Sequence, residues 1–249
     1  MTRYRDGYKG GKQKYDFSLR SILRISSLLI IPIITYTIGL FPLIYMFLYV
    51  VDFVSLSNII HLFLFTNFLV ILFFLFIIFE TFIPGLVIRI FRIKADEGKH
   101  ELSILDWNFY KYSLFFALYR PSLKLIGVFP LIPLRIRFLK LVGLQMGKTS
   151  MVSGAELIHD PYMVEIGEQT LIGGWTQIAG HLGEKKLIIK KVKIGDHCLI
   201  GAKSFIMPGV VIENNVTVAL NSVVIKDMRL KKGGTYAGIP VKEIAKRKT

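Results

Sequence analysis

Hydrophobic and polar positions divide the chain into an apolar N-terminal part and a periodic C-terminal part. Residues 27–51 and 59–79 contain no Asp, Glu, Lys or Arg. Each stretch is long enough to cross the hydrocarbon core of a bilayer, about 30 Å, as a helix. Only the short link DFVSLSN separates them, and backbone groups in lipid must be satisfied within each segment. The pattern predicts two transmembrane helices within residues 25–82.

Apolar and basic positions alternate in residues 83–147, as in FYKYSLFFALYRPSLKLIG. Trp107, Tyr110 and Tyr112 lie among lysines, and such aromatic residues are typical of the membrane–water interface. We interpret this segment as amphipathic helices on the cytoplasmic leaflet. A small helical domain packed on the C-terminal part is the alternative, and the two arrangements are compatible.

The C-terminal part repeats every six residues, which is the most informative signal in the chain. From Val164 it divides into VEIGEQ, TLIGGW and TQIAGH, and after residues 182–191 into VKIGDH, CLIGAK, SFIMPG, VVIENN, VTVALN and SVVIKD. Six residues turn a helix by about 600°, so no helix keeps every sixth residue on one side. The third positions, all β-branched, are Ile166, Ile172, Ile178, Ile194, Ile200, Ile206, Ile212, Val218 and Val224.

This repeat predicts a triangular prism in residues 148–249, built from short strands and tight corners. The third residue of each hexad points into a narrow interior, and three hexads close one coil. Glycine is common at the fourth position, where a Cβ would crowd or strain the corner. Residues 182–191 interrupt the repeat, which predicts a loop that projects from one corner. The irregular spacing in MVSGAELIHDPY predicts an earlier, irregular coil with a bulge at DPY.

The charge distribution favours a membrane over nucleic acid as the partner of a chain with a net charge of +15. The chain contains no recognised nucleic-acid motif, and its basic residues cluster beside the apolar segments. The link between the spans carries no Lys or Arg, so the positive-inside rule predicts two spans of the cytoplasmic membrane with both termini cytoplasmic. The basic leader, residues 1–24, contributes Arg3, Arg5, Lys9, Lys12, Lys14, Arg20 and Arg24.

From His181 onward the chain resembles the hexapeptide-repeat acyltransferases, in particular the maltose and galactoside O-acetyltransferase branch. The shared elements are a histidine before a looped insertion, the run VKIGDHCLIGAKSFIMPGVVIENNVTVALNSVVIKD, and YAGIPVKEI. The resemblance covers about residues 140–249 and implies a left-handed parallel β-helix. It also implies a homotrimer that uses an acyl-CoA, with acetyl-CoA as the expected donor and no metal.

The same resemblance implies roles for individual residues. In this family a histidine at the loop-bearing corner is the general base, and His181 matches that position. An imidazole, with an ordinary pKa near about 6.5, can take the proton of a hydroxyl that attacks a thioester. His159 and Asp160 lie in a segment where relatives place polar residues that contact the acceptor, and His159 is expected to orient the acceptor or His181. The donor residues implied by the resemblance are Gly201, Ala202, Ala219, Lys226, Gly238, Pro240 and Lys242.

Three other residues carry weaker signals. We interpret His197 as a structural or interfacial residue, and Trp175 as either a sugar-stacking residue or part of a subunit contact. Cys198 is the only cysteine, so an intramolecular disulfide is excluded, and its position in a strand favours a structural role.

The prediction from the sequence is thus a membrane-anchored acyltransferase whose acceptor is a saccharide or a lipid-linked envelope precursor. Two alternatives stay open. A non-catalytic, tethered trimeric scaffold would use the same prism without binding CoA. A zinc-dependent hydratase like one class of carbonic anhydrase would need three imidazoles on the metal, and the spacing of His159, His181 and His197 does not match the close pair expected there.

Overall fold

The protein begins with two long helices in the computed structural model, which describes residues 18–55, 58–129 and 131–246. Helix α1 is Leu19–Val51 and helix α2 is Ile59–Ile90, and both are long and apolar enough to cross a membrane. They begin before and end after the predicted segment 25–82. Most of the basic leader, residues 1–17, lies outside the described residues.

Side-chain caps explain where these helices begin. The Ser18 hydroxyl accepts a hydrogen bond from the Ser21 amide, and the Asn58 side chain accepts one from the Ile60 amide at 2.9 Å. Such caps satisfy amide groups that the first turn of a helix leaves unpaired. Because α1 and α2 pack on each other along their length, the two helices form the predicted hairpin.

The segment after α2 packs between the hairpin and the C-terminal part. It contains strand β1 (Gly98–His100), helix α3 (Trp107–Ile126) and helix α4 (Ile132–Leu141). Phe115, Leu118 and Tyr119 of α3 are fully buried, and the Tyr119 hydroxyl donates to the Ile158 carbonyl oxygen at 2.6 Å. These contacts of α3 agree with the alternative interpretation, a helical unit packed on the prism. That residues 83–147 also contact a membrane stays a prediction.

Short strands follow in a regular order. The first coil contains β2, β3 and β4, followed by a single 3-10 turn at Pro161–Met163, the site of the predicted bulge. The second contains β5, β6 and β7, and a hairpin of β8 and β9 precedes the third. Their bounds are β2 Gln145–Met146, β3 Met151–Val152, β4 Leu157–Ile158, β5 Val164–Ile166, β6 Leu171–Ile172, β7 Gln177–Ile178, β8 His181–Gly183 and β9 Leu187–Ile189.

The remaining coils have the same pattern without insertions until the chain turns back at its end. Strand β18 runs antiparallel to β17, whereas the other contacts between coils are parallel. The bounds are β10 Val192–Ile194, β11 Leu199–Ile200, β12 Phe205–Ile206, β13 Val211–Ile212, β14 Thr217–Val218, β15 Val223–Val224, β16 Arg229–Leu230, β17 Gly234–Gly238 and β18 Val241–Lys246.

Each of the first four coils supplies one strand to each of three faces, and the last coil supplies β16 and β17 to the first two. The first face has the order β16-β13-β10-β5-β2, the second β18-β17-β14-β11-β6-β3, and the third β15-β12-β7-β4. Equivalent positions of successive hexads are paired, for example Ile200 with Ile172 and Val218. The predicted fold class, a helical hairpin followed by a left-handed parallel β-helix, is confirmed.

The third residues of the hexads form the interior as predicted. All nine are buried, and Ile172, Ile200 and Ile206 have no exposed surface. Glycine at the fourth position allows neighbouring coils to approach closely: a Cβ on Gly173 would lie 2.6 Å from the Ala202 amide nitrogen. Left-handed backbone occurs instead at the sixth position, where Trp175 and His197 have φ angles of 61° and 56°.

The predicted loop at residues 182–191 is an antiparallel hairpin, held by a strand from the helical segment. His181 pairs with Ile189 across β8 and β9, and Gly98 of β1 pairs with the same Ile189 from the other side. The hairpin is therefore tied to the chain between α2 and α3, which limits its freedom at the corner where it leaves the prism.

Stacking in the interior predicts that alanine substitution at two adjacent residues has very different effects on the free energy of unfolding. We expect Ile200→Ala to lower the free energy of unfolding by about 2–5 kcal/mol, because it leaves a cavity between fixed coils. The matched variant Leu199→Ala removes a side chain that is 43% exposed on the same strand, and we expect a change within about 0.5 kcal/mol. Thermal and denaturant unfolding of the detergent-solubilised protein compares the two, and equal losses would contradict an interior formed by third positions.

Candidate active site

The structure brings His181 and Asp160 together at the corner where the hairpin leaves the prism. His181 begins β8 directly after the third face, and Asp160 lies at the equivalent corner of the preceding coil. His181 Nδ1 and Asp160 Oδ2 are 2.6 Å apart. The Gly180 amide donates to the same carboxylate oxygen at 2.9 Å. We call this corner, with His159, the histidine corner.

Burial makes the carboxylate suited to orienting the imidazole. Asp160 has no exposed surface, whereas the His181 side chain is 20% exposed. When Nδ1–H donates to the carboxylate, Nε2 is left with a free lone pair that can take a proton. The carboxylate also stabilises the imidazolium that would form, as in other acid–histidine pairs. The second Asp160 oxygen, Oδ1, is buried without a hydrogen-bond partner among the described residues.

His159 lies beside His181 but has different hydrogen-bond partners and a different tautomer. The two ring centroids are 5.8 Å apart. An Arg120 guanidinium nitrogen is 3.2 Å from His159 Nδ1, and Gln177 Oε1 is 3.3 Å from Nε2. Since a guanidinium only donates, Nδ1 accepts and the proton lies on Nε2. Burial lowers the pKa of His159, and the nearby Arg120 charge lowers that pKa further.

Helix α3 forms an aromatic wall over His181 that sequence reasoning missed. The Tyr112 and Phe116 rings have centroids 5.0 Å and 5.4 Å from that of His181. The Arg120 guanidinium lies 5.1 Å above the Phe116 ring. Burial raises the pKa of Tyr112, and the Asp160 charge adds to this effect, so the phenol stays neutral.

The sequence contains a signal for this wall, but the signal does not show which surface the wall contacts. Tyr112, Phe116 and Arg120 are spaced by four residues and therefore lie on one face of a helix. The spacing identifies a shared helical face but not the histidine corner as its partner. Gln177, the outward residue of β7, was likewise not identified because it reads as an ordinary exposed strand position.

Most predicted donor residues lie at one corner, between the second and third faces. Gly201 and Ala202 follow β11, Ala219 follows β14, Gly238 ends β17, and Pro240 lies in the turn after it. These five residues, which we call the donor corner, stack from coil to coil. A Cβ on Gly201 would meet the backbone of the next coil at Ala219, so this backbone is closely packed.

The two predicted lysines lie on different sides of the prism. Lys226 follows β15 at the histidine side of the prism and forms an ion pair with Glu184 of the hairpin. It borders a cleft of about 140 Å³ together with Lys99 and Lys190. Lys242 lies on β18, opposite Ala237, and is exposed. Of these two lysines, therefore, Lys242 is near the donor corner and Lys226 is near the histidine corner.

The third face connects the donor corner with the histidine corner. Its outward positions are paired from coil to coil, with Gln177 between Leu157 and Phe205, and Phe205 next to Val223. A molecule lying along the donor corner would therefore have a short, largely apolar face between it and the coil that carries His181.

The remaining candidates lie elsewhere. His197 is exposed at the corner between the first and second faces, and Trp175 is 69% exposed at the corner that continues the donor corner. Cys198 is buried, which raises the pKa of its thiol and is unsuited to a nucleophile. Among residues 18–55, 58–129 and 131–246, no group of three His, Cys, Asp or Glu side chains could hold a metal ion.

Comparison with known families and structures agrees with the repeat. The family described as "Hexapeptide repeat of succinyl-transferase" matches residues 191–226. No curated protein matches the chain.

Solved structures similar to the chain cover about half of it. A hexapeptide-repeat acetyltransferase from Vibrio cholerae is 21% identical, with a TM-score of 0.44, over 52% of this chain and 89% of the other. A maltose O-acetyltransferase from Clostridium difficile is 19% identical, with a TM-score of 0.42, over 52% and 87%. A galactoside acetyltransferase in complex with coenzyme A is 20% identical, with a TM-score of 0.42, over 51% and 80%.

The Arg120 contact predicts an electrostatic effect on its histidine neighbour. We expect Arg120→Gln to raise the pKa of His159, because a positive charge near the imidazole disfavours its protonated form. A pH titration of ¹³C-labelled histidine rings by NMR measures this. Lys124→Gln, which removes an exposed cation two positions before the end of the same helix, is the control and should leave the pKa unchanged. An unchanged or lower pKa in Arg120→Gln would be inconsistent with the assigned contact.

Proposed function

We propose that the chain is a membrane-anchored acyltransferase that moves an acyl group, expected to be acetyl, from an acyl-CoA to a hydroxyl or amine. The observation that carries the proposal is the 2.6 Å contact between His181 and the buried Asp160 at the loop-bearing corner. A prism that served only as a scaffold would have no need to bury a carboxylate against a partly exposed imidazole.

The His181–Asp160 pair supports a direct transfer without a covalent enzyme intermediate. His181 Nε2 takes the proton from the acceptor hydroxyl as its oxygen attacks the thioester carbonyl carbon. The C–S bond then breaks, and the leaving CoA sulfur receives the proton from the imidazolium. Asp160 favours the charged imidazolium between these steps, because a carboxylate hydrogen-bonded to the protonated form stabilises it.

The Tyr112–Phe116 wall supports this chemistry by shielding one side of the base. Aromatic rings against His181 exclude water from that side, which strengthens the electrostatic contact with Asp160. His159 remains neutral beside the base, with Nδ1 accepting from Arg120 and Nε2–H donating to Gln177, so it is suited to positioning these two side chains for an acceptor and not to removing a second proton.

The donor corner supports a binding site for the pantetheine arm, with Gly201, Ala202 and Ala219 offering backbone groups. Lys242, two residues beyond Pro240, would then meet a phosphate group, which Lys serves as a point cation. In the resembling family such a groove lies between parallel prisms. We therefore include a homotrimer in the proposal, since a donor held by one prism would meet His181 of another across the third face.

The two apolar helices support a cytoplasmic-membrane location with both termini on the cytoplasmic side. Arg20 and Arg24 near the start of α1, and Arg89 and Arg92 near the end of α2, are all at the same end of the hairpin. An anchored active site favours an acceptor at the cytoplasmic leaflet, so a saccharide or lipid-linked envelope precursor is the acceptor class that we propose.

Replacing the proposed base should abolish transfer. We expect His181→Ala to lower kcat for acetyl transfer at least about 100-fold, because general-base catalysis contributes factors of that order. The assay follows CoA release in membranes supplied with acetyl-CoA and the cell's own envelope lipids. His197→Ala, an exposed corner histidine, is the matched control with unchanged activity. Full turnover in His181→Ala, with normal membrane insertion, would exclude His181 as the base.

CoA binding separates an enzyme from a scaffold. We expect calorimetric titration of the purified full-length protein with CoA to show saturable binding that Ala202→Glu weakens about tenfold or more, because a carboxylate would repel the phosphates and block the arm. Gln169→Glu, at an exposed corner away from the donor corner, should bind like the unmodified protein. Absence of CoA binding would favour the tethered scaffold, and stoichiometric zinc in the same sample would favour the hydratase.

A further inference from the structure

An apolar groove outside the candidate active site lies between α1, the end of α2 and the first half of α3. Its volume is about 530 Å³, within the range of small-molecule sites. The side chains around it are largely aliphatic and aromatic, with two cations among them. They include Ile31, Ile34, Ile38, Arg92, Trp107 and Lys111.

One wall of the groove is a single apolar stripe along α1. Ile31, Ile34 and Ile38 are spaced by three and four residues, so they lie in one row on one helical face. Ile34 and Ile38 are more than half exposed although both are large aliphatic side chains. Leu114 of α3 is buried opposite them. A single row of this width matches one hydrocarbon chain.

Positive charge is concentrated at one end of the groove. Arg92 lies at its mouth and forms no ion pair among the residues that the structure describes. Lys111 also lines it and pairs with Asp96 at 2.9 Å. The Arg24 guanidinium lies 5.3 Å from the centre of the Trp107 ring, one of the lining rings. Two cations therefore line the groove, and a third, Arg24, lies against one of its rings while donating to the Ile104 and Leu105 carbonyl oxygens.

The charged end and the apolar stripe follow each other along α1. Arg24 precedes Ile31 by about two helical turns, and Ile38 lies about 10 Å beyond Ile31 at 1.5 Å per residue. The groove thus has the polarity of an amphiphile with an anionic head and a long apolar tail. Phosphate is the head group that clustered arginine and lysine side chains recognise best.

We propose that this groove binds a single-chain lipid phosphate, with its hydrocarbon along the Ile31–Ile38 stripe and its phosphate at Arg92 and Lys111. This deepens the proposed function and rests on it in one respect, namely that the bound lipid carries the acceptor group. Lys111 directly precedes Tyr112, whose ring contacts His181. A group attached to the phosphate would therefore lie beside α3, the helix whose aromatic rings contact His181.

Trp107 allows binding to be measured directly. The chain has two tryptophans, so Trp175→Phe leaves Trp107 as the only one, inside the groove. Full-length protein in neutral detergent is titrated with geranylgeranyl phosphate, and Trp107 fluorescence is recorded without CoA. We expect saturable binding, with neutral geranylgeraniol binding at least about tenfold more weakly because a charge-assisted contact is lost.

Two variants test the site. Arg92→Gln should weaken binding of geranylgeranyl phosphate about tenfold. Arg89→Gln removes an exposed cation in the last turn of α2, three residues before Arg92, that does not line the groove, and it should have no effect. Ile34→Phe, which narrows the apolar stripe, should weaken the phosphate and the alcohol alike.

Several outcomes would overturn the proposal. Equal affinity for phosphate and alcohol, equal loss in Arg92→Gln and Arg89→Gln, or equal binding of a two-chain phosphatidic acid would each show ordinary lipid contact. His181→Ala should retain binding in every case. Lipid binding without acyl transfer would therefore contradict the proposed acyltransferase function but support the proposed groove. Acyl transfer without lipid binding would contradict the groove alone.

Discussion

Stacking of β-branched side chains inside a narrow prism is the constraint on which the rest of the structure depends. Ile172, Ile200 and Val218 pair directly from coil to coil and exclude solvent completely. Because interiors are close-packed, each coil must repeat the geometry of the one below it. The corners are thereby held at constant positions, and short segments that would be unstable alone form a rigid column with a surface on which chemical groups can be placed.

The candidate active site uses this rigidity at the one corner where the period is broken. The bulge at Pro161–Met163 and the hairpin after His181 lie in successive coils. Between them the Asp160 carboxylate turns inward and accepts hydrogen bonds from Gly180 and His181. A buried carboxylate is costly unless it is paired in this way. The departure from the repeat is therefore where a polar pair can be accommodated without disturbing the stacked interior.

Helix α3 joins the apolar hairpin to this corner. One part of its surface contacts α1, with the Tyr36 hydroxyl donating to the Leu118 carbonyl oxygen at 2.9 Å and Ser27 hydrogen-bonded to the Tyr110 hydroxyl. Another part presents Tyr112 and Phe116 to His181. Helix α3 thus contacts the apolar hairpin, His181 and the apolar groove, so the position of the hairpin is coupled to the surroundings of His181.

The sequence by itself determined the prism, its nine interior residues, the looped corner and the two apolar helices, because each follows from a local period or composition. It also identified His181, His159 and Asp160 as candidates through a resemblance. Only the tertiary structure decided that Asp160 contacts His181, that α3 covers His181, and that Lys226 and Lys242 lie on different sides of the prism. Such contacts join segments far apart in the chain, as in the Arg120–His159 pair, and a local pattern carries no information about which distant surface it will meet.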